Sequence, residues 1–172
     1  MPTGSLHSLV NWDDPINMIR YSETLSDPTS PDKQSALTNL LADDQDTHPE
    51  IEYYYTQGSW RDSTKPTPDK LEETLDKYHV NQCKPQQCYY NAQTNLTPDA
   101  TYVEGFLLES TNPATATVVP HAWLEINSKV IELTPNLNQS ETHYFGCEFK
   151  NETVHQILAE REYCSPVIEG IV

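Results

Sequence analysis

The sequence from residue 117 to residue 134, TVVPHAWLEINSKVIELT, predicts a β-hairpin. Two runs rich in Val, Ile and aromatic residues flank Asn127-Ser128, a dipeptide that can form a two-residue turn. A turn of that length pairs Ile126 with Lys129 and thereby fixes the register of the two strands. A four-residue loop centred on the same point preserves this register, whereas a three-residue loop or a bulge breaks it. The hairpin indicates an antiparallel sheet in the second half of the chain.

The two faces of the first strand differ in character. Side chains alternate along a strand, so the even-numbered residues of 120–126 share an apolar face that suits a protein core. The odd-numbered residues place His121 beside Trp123 and Glu125, a mixture that suits the wall of a cleft. Taken alone, His121 is equally consistent with a structural, hydrogen-bonded histidine.

The predicted register makes His121 and Glu132 diagonal neighbours on one face. Diagonal positions lie ~7–8 Å apart at the backbone, which is within reach of long side chains. The Glu132 carboxylate could therefore accept a hydrogen bond from the imidazole and leave the other ring nitrogen directed at a thiol.

The pattern of the remaining chain predicts an α+β fold, with helices followed by an antiparallel β-sheet. The predicted helices are 67–79, 85–93 and 153–160, and the predicted strands are 102–109, 116–126, 129–134 and 143–149.

Residues 1–66 are polar and rich in Asp, Ser, Thr and Pro, and they predict a partly ordered N-terminal extension. This extension would wrap over the sheet or the site of an α+β thiol-site domain at 67–172. Three segments within it have ordered patterns: 16–25 is weakly helical, 33–42 places Leu37, Leu40 and Leu41 on one helical face, and 51–55 suits a short strand.

The charge of the chain restricts its partners. A formal net charge of −16 over 172 residues repels nucleic-acid phosphates and anionic membranes, so neither is expected as a partner. Acidic residues spread along the chain are typical of halophilic proteins, and a nucleic-acid mimic or a binder of basic partners is the rarer alternative. No run of about 18 apolar residues and no secretory signal is present, so we expect a cytoplasmic location.

Cys88 is the candidate nucleophile. If Pro85 opens a helix, Cys88 lies in its first turn, where unpaired backbone N–H groups and the helix dipole favour negative charge. A thiol reacts as the thiolate, so this position favours reactivity. A buried structural cysteine is the alternative.

Gln82 precedes Cys88 by a short loop and is a candidate oxyanion donor together with the backbone N–H of Cys88. Gln86 and Gln87 compete with it for this role.

The chain has four cysteines, which allow a zinc site as a further hypothesis. The spacing of Cys83 and Cys88 is longer than zinc usually favours, and Cys147 and Cys164 are not a close pair. Disulfides are not expected in a cytosolic protein. We expect no cofactor and no metal.

The chain resembles the papain-like and transglutaminase-like cysteine protein superfamily, and most of all its small phage and prokaryotic members of unknown function. Those proteins carry Lys-Pro-x-x-Cys-x-x-Asn-Ala, Tyr-Val-Glu-Gly, His-Ala-Trp, Val-Ile-Asp-x-Thr and Tyr-Phe-Gly in this order. The matching stretches of this sequence, within roughly 80–150, begin at Lys84, Tyr102, His121, Val130 and Tyr144.

The resemblance implies that Cys88 is the nucleophile, His121 the base and Glu132 the group that orients the base. Gln82 matches the oxyanion glutamine of papain-like enzymes by spacing alone. In two respects the chain departs from the pattern: the third position usually carries Asp, and the Gly-Ser-Cys-Trp sequence of true papains is missing.

Two classes of function follow. The first is a thiol-dependent hydrolase or acyltransferase that acts on an amide or peptide bond of a protein or peptide substrate. The second is a non-catalytic binding or structural module on the same fold, which can belong to a virus or a halophile.

Overall fold

The computed structural model describes residues 21–24, 37–39, 41–42, 49–61, 76, 84–85, 87–112, 115–134, 142–161 and 163–172. For 21–24, 109–112 and 115–117 it describes the backbone alone.

The described residues form strands and helices in an α+β arrangement, as the sequence predicts. In chain order the elements are β1 (Tyr21–Thr24), α1 (Pro49–Gln57), β2 (Ser59–Arg61), α2 (Cys88–Thr94), β3 (Thr101–Asn112), β4 (Thr115–Ile126), β5 (Lys129–Ile131), β6 (Thr142–Phe149), α3 (Asn151–Arg161) and a 3₁₀ turn at Ile168–Gly170.

One antiparallel sheet contains all of the described strands. Its order is β1-β4-β3-β6-β2. β1 and β5 pair with the same edge of β4, β1 near the start of that strand and β5 near its end. The long strands β3 and β4 pair along almost their whole length and form the centre of the sheet together with β6. Residues on both sides of position 67 therefore belong to one sheet.

The hairpin has the predicted register. Ile126 pairs with Lys129, and the pairing continues to Leu124 and Ile131. Asn127 and Ser128 have φ angles of 53° and 59°, which is the left-handed conformation required at both positions of a type I′ turn. The strand pairing ends at Ile131, so β5 is shorter than the predicted strand 129–134.

The two faces of the sheet are both buried. The larger core cluster joins one face to the helices and includes Leu37, Leu41, Ile51, Tyr54, Tyr102, Phe106, Leu124, Phe145, Phe149 and Val154. The smaller cluster on the other face comprises Val103, Leu107, Val119, Trp123, Val130 and Tyr144. The odd-numbered face of β4 was predicted to line a cleft, but Trp123 and Tyr144 pack edge to face there and bury it.

The prediction of a strand at 51–55 is wrong, because these residues lie in helix α1. Pro49 begins the helix, and Glu50 and Glu52 lie in its first turn, where carboxylates are favourable. Ile51 and Tyr54, three residues apart, turn into the core. The capping pattern therefore prevails over the β propensity of the tyrosines.

The weakly helical interpretation of 16–25 is also wrong where the structure describes it, because Tyr21–Thr24 is strand β1. The free edge of β4 supplies backbone partners for this segment, and those hydrogen bonds outweigh a weak helical propensity. The helical interpretation of 33–42 agrees with the described part of that segment, in which Leu37 and Leu41 are helical and buried.

Helix α2 begins at Cys88 and not at Pro85. The predicted helix at 67–79 lies outside the described residues except for Asp76, whose backbone is helical. Helix α3 spans Asn151–Arg161 around the predicted segment, and Val154 and Ile157 are buried. Within the described ranges, no helix is long and apolar enough to cross a membrane.

Candidate active site

The hairpin brings the predicted histidine and carboxylate into contact. His121 Nε2 lies 2.8 Å from Glu132 Oε2. Glu132 is the first residue after β5, and the backbone N–H of Thr134 donates to its Oε1 at 2.8 Å. This bond holds the chain in a bend after β5, and the other carboxylate oxygen faces His121 on β4.

A third donor completes the surroundings of Glu132. The hydroxyl of Tyr144, on β6, donates to Oε2 at 2.9 Å. The side chain of Glu132 is 10% exposed and that of His121 is 1% exposed. Buried charges are stable only when they are paired and hydrogen-bonded, and this carboxylate meets both conditions.

Cys88 lies beside His121. It is the first residue of α2, it is 8% exposed, and it is close enough to the His121 ring to raise the pKa of that ring. Because Nε2 faces Glu132, Nδ1 is the ring nitrogen left for the thiol. The three residues therefore form a chain in the order thiol, imidazole, carboxylate.

Asn91 ties the loop before α2 to the end of the hairpin. Its Oδ1 accepts from the Lys84 backbone N–H at 2.7 Å, and its Nδ2 donates to the Lys84 carbonyl at 2.7 Å. Nδ2 also lies 3.5 Å from Thr134 Oγ1. Asn91 is completely buried, so these bonds fix the start of α2 relative to Glu132.

The electrostatics of the site favour a charged pair. Although burial alone lowers the pKa of His121, the Glu132 carboxylate and Cys88 raise it to about 10. Burial raises the pKa of Glu132, but the His121 charge and the bonds from His121, Thr134 and Tyr144 lower it below its ordinary value. Imidazolium and carboxylate are therefore the states of this pair at neutral pH.

Aromatic rings enclose the imidazole. Trp123 stacks on His121 with ring centroids 6.2 Å apart and an interplanar angle of 18°. The indole Nε1 donates to Glu125 Oε1 at 3.0 Å, and Arg61 Nε lies 3.5 Å from the same oxygen. Arg61 also donates to Glu148 at 2.8 Å, so a charged network holds the tryptophan against the histidine.

The other described cysteines are Cys147 and Cys164. Cys147 pairs with Glu104 across β3 and β6 and belongs to the larger core cluster. Burial raises the pKa of its thiol to about 12, and burial also raises the pKa of Cys164. All three described cysteines are free, and the described residues contain no group of side chains that could hold a metal ion.

Gln82, Gln86 and Cys83 lie outside the described residues, so the predicted oxyanion side chain is not located. Gln87 is exposed and precedes α2, and its carbonyl accepts the N–H of Asn91 at 2.8 Å. Two residues that the sequence analysis did not assign to the site are part of it: Tyr144 and Asn91. Both lie in the stretches that carry the resemblance, which is the one signal that could have indicated them.

Comparison of the chain with protein-family models, curated proteins and solved structures finds no match. The geometry of the site is therefore the basis on which a function can be assigned.

Proposed function

We propose that this chain is a thiol-dependent hydrolase or acyltransferase that acts on a carbonyl carbon, on a papain-like or transglutaminase-like core. Cys88 is the nucleophile, His121 the acid and base, and Glu132 the group that orients His121. The observation that carries the proposal is the position of His121, which is bonded to Glu132 and lies close enough to Cys88 to interact with it.

The chemistry follows from this order. The Cys88 thiolate attacks the carbonyl carbon of an amide or ester, and the carbonyl electron pair moves to oxygen. The tetrahedral intermediate collapses, the bond to the leaving group breaks, and that group takes a proton from His121. Water or an amine, deprotonated by His121, then attacks the thioester and releases the Cys88 thiolate.

The developing oxyanion needs donors close to the sulfur. Cys88 begins α2, and the N–H groups of a first helical turn lack acceptors within the helix. The backbone N–H of Cys88 is therefore the first donor that we assign to the oxyanion, and Gln82 is the side-chain candidate.

Glu132 supports the proton transfer by fixing the imidazole. A ring that is bonded at Nε2 cannot rotate freely, so Nδ1 stays directed at the thiol. The same carboxylate stabilises the imidazolium that precedes protonation of the leaving group.

A second candidate function is a non-catalytic binding module on the same fold. The burial of His121, at 1% exposure, favours it, because an active site must admit its substrate. The two functions differ in whether an acyl group is ever transferred to Cys88.

Stopped-flow hydrolysis of p-nitrophenyl acetate separates the two candidates. An enzyme of the proposed class releases close to one p-nitrophenolate per chain in a burst, as the Cys88 thioester forms. Cys88→Ala and His121→Ala should abolish the burst, whereas Cys147→Ala should retain it. The absence of a burst in the folded wild-type protein, or a burst that survives Cys88→Ala, would favour the binding module.

A further inference from the structure

Tyr144 meets the carboxylate of the triad at a single atom. Its hydroxyl lies 2.9 Å from Glu132 Oε2, the oxygen that also faces His121 Nε2 at 2.8 Å. Tyr144 is 1% exposed, so water does not compete for this bond.

Tyr144 reaches Glu132 from β6, a strand that is not adjacent to β4 in the sheet. Tyr144 pairs with Leu107 on β3, and β3 separates β6 from the strand that carries His121. Gly105 of β3, which has no side chain, pairs with His121. The centroid of the tyrosine ring lies 6.3 Å from that of His121 and 5.1 Å from that of Trp123.

We propose that Tyr144 is a positioning residue of the triad, which fixes the Glu132 carboxylate so that Oε2 stays directed at His121. This inference rests on the proposed function, because a positioning role has meaning only if His121 moves protons. In this role Tyr144 acts on the reaction through Glu132 and His121, so it is a positioning residue and not a catalytic one.

The length of Glu132 explains why a second anchor is needed. A glutamate side chain has three rotatable bonds and loses much rotamer freedom when it is fixed in one geometry. Thr134 N–H holds Oε1 but belongs to the same chain segment as Glu132. Tyr144 comes from another strand and therefore ties the carboxylate to the rigid centre of the sheet.

The bond from Tyr144 also stabilises the charged form of Glu132. Loss of this bond should raise the pKa of Glu132, so that the carboxylate is protonated at a higher pH than in the wild type. As the pH falls, the negative charge that stabilises the His121 imidazolium would then be lost earlier. A purely structural tyrosine would affect folding and leave the titration of Glu132 unchanged.

Tyr144→Phe tests the proposal, with Tyr102→Phe as its matched control. Tyr102 is another buried tyrosine, and its hydroxyl donates to the carboxylate of Glu104 at 2.6 Å. Two quantities are measured in each protein: the pH dependence of Cys88 alkylation by iodoacetamide, and the titration of the Glu132 carboxyl carbon by ¹³C NMR.

We expect Tyr144→Phe to shift the acid limb of the alkylation profile and the Glu132 titration upward by about one pH unit, the usual effect of one hydrogen bond to a charged group. Tyr102→Phe should leave both unchanged. Unchanged curves in Tyr144→Phe, or equal shifts in both variants, would overturn the positioning role.

The failure of the proposed function would be visible separately. Wild-type Cys88 whose alkylation does not depend on His121 would refute that function, while the Glu132 titration would still test whether Tyr144 controls the carboxylate. If Tyr144→Phe does not fold, 3-fluorotyrosine at position 144 keeps the ring and strengthens the donor. The Glu132 titration should then shift downward, and an unchanged titration would overturn the role.

Discussion

Glu132, the first residue after β5, lies one diagonal step from His121 of β4, and the Oε2 and Nε2 atoms of the two residues are 2.8 Å from each other. The Asn127-Ser128 turn sets this relationship, because it fixes which residues of β4 and β5 are paired. A shift of one residue in that register would move Glu132 to the other face of the sheet. The geometry of the proposed catalytic pair therefore depends on a turn at the far end of the hairpin.

Replacement of Glu132 by Gln should lower the pKa of His121. The carboxylate and Cys88 raise that pKa to about 10 against a burial effect that lowers it, so loss of the negative charge should reduce it by about 1–3 units. The measurement is a ¹⁵N NMR titration of the His121 ring. Glu132→Asp keeps the charge and should retain part of the shift. A His121 that titrates identically in wild type and Glu132→Gln would show that the carboxylate does not control the ring.

The His121–Glu132 pair should contribute a bell-shaped term to the pH dependence of folding stability. The raised pKa of His121 means that its protonation stabilises the folded state. This contribution is complete below pH 6.5, the ordinary pKa of histidine, and is lost as the pH rises toward 10. The lowered pKa of Glu132 gives stability that is complete above its ordinary value of 4.5 and is lost at lower pH.

The double variant His121→Gln/Glu132→Gln isolates this term, because it removes both charges and keeps the side-chain sizes. The free energy of unfolding of the wild type, minus that of the variant, should be highest between about pH 4.5 and 6.5 and fall by roughly 1 kcal/mol or more toward pH 10. Urea denaturation at a series of pH values measures it. A difference that is flat from pH 5 to 10 would contradict the charged state assigned to His121.

Gly146→Ala should destabilise the fold beside the site. A Cβ there would lie 2.4 Å from the Glu104 carbonyl oxygen and 2.7 Å from Cη2 of Trp123, so the central strands or the indole must move. We expect a loss of about 1–3 kcal/mol in unfolding free energy, typical of an overpacked core. In Gly170→Ala the closest atoms, 3.1 Å away, are side-chain ends of Arg161 and Ile157, and the loss should be smaller. Equal losses in both variants would contradict the tight packing at Gly146.

Ionisation of the buried Glu104 should lower the free energy of unfolding as the pH rises toward neutrality. Glu104 is completely buried, and burial raises its pKa from 4.5 to about 7, even though Tyr102 and the N–H groups of Val167 and Ile168 donate to it. The folded state therefore binds a proton more readily than the unfolded state, and stability should fall between pH 4.5 and 7. Glu104→Gln cannot ionise, so its unfolding free energy, measured by urea denaturation, should lack this decline. Parallel curves for wild type and variant would refute the assignment.

The sequence predicted the features that depend on local pattern. Alternating residues and a two-residue turn determined the strands and the register of the hairpin, and with them the contact of His121 with Glu132. The aromatic run at 51–55 has the β propensity of a strand, but Pro49 and the first-turn carboxylates favour the helix that forms.

Features that depend on strand order could not be predicted in this way. Tyr144 reaches Glu132 only because β6 lies beside β3, and the local sequence of β6 does not specify that neighbour. The buried bonds of Asn91 to Lys84 likewise depend on how α2 packs against the hairpin. The contact of Cys88 with His121 was expected from the resemblance, since the spacing of these residues does not determine it.

In the proposed function, Cys88 and His121 act as a thiolate–imidazolium pair. The most direct test is the rate of Cys88 alkylation by iodoacetamide from pH 4 to 10, in wild type and His121→Ala, with each cysteine followed by peptide mass spectrometry. Cys147 and Cys164 in the same samples provide internal controls.

We predict that wild-type Cys88 is alkylated rapidly at pH values well below ~8.5, where a free thiol ionises, and that His121→Ala removes this reactivity at low pH. Wild-type Cys88 that reacts only near ~8.5, or whose rate is the same in His121→Ala, would contradict the claim.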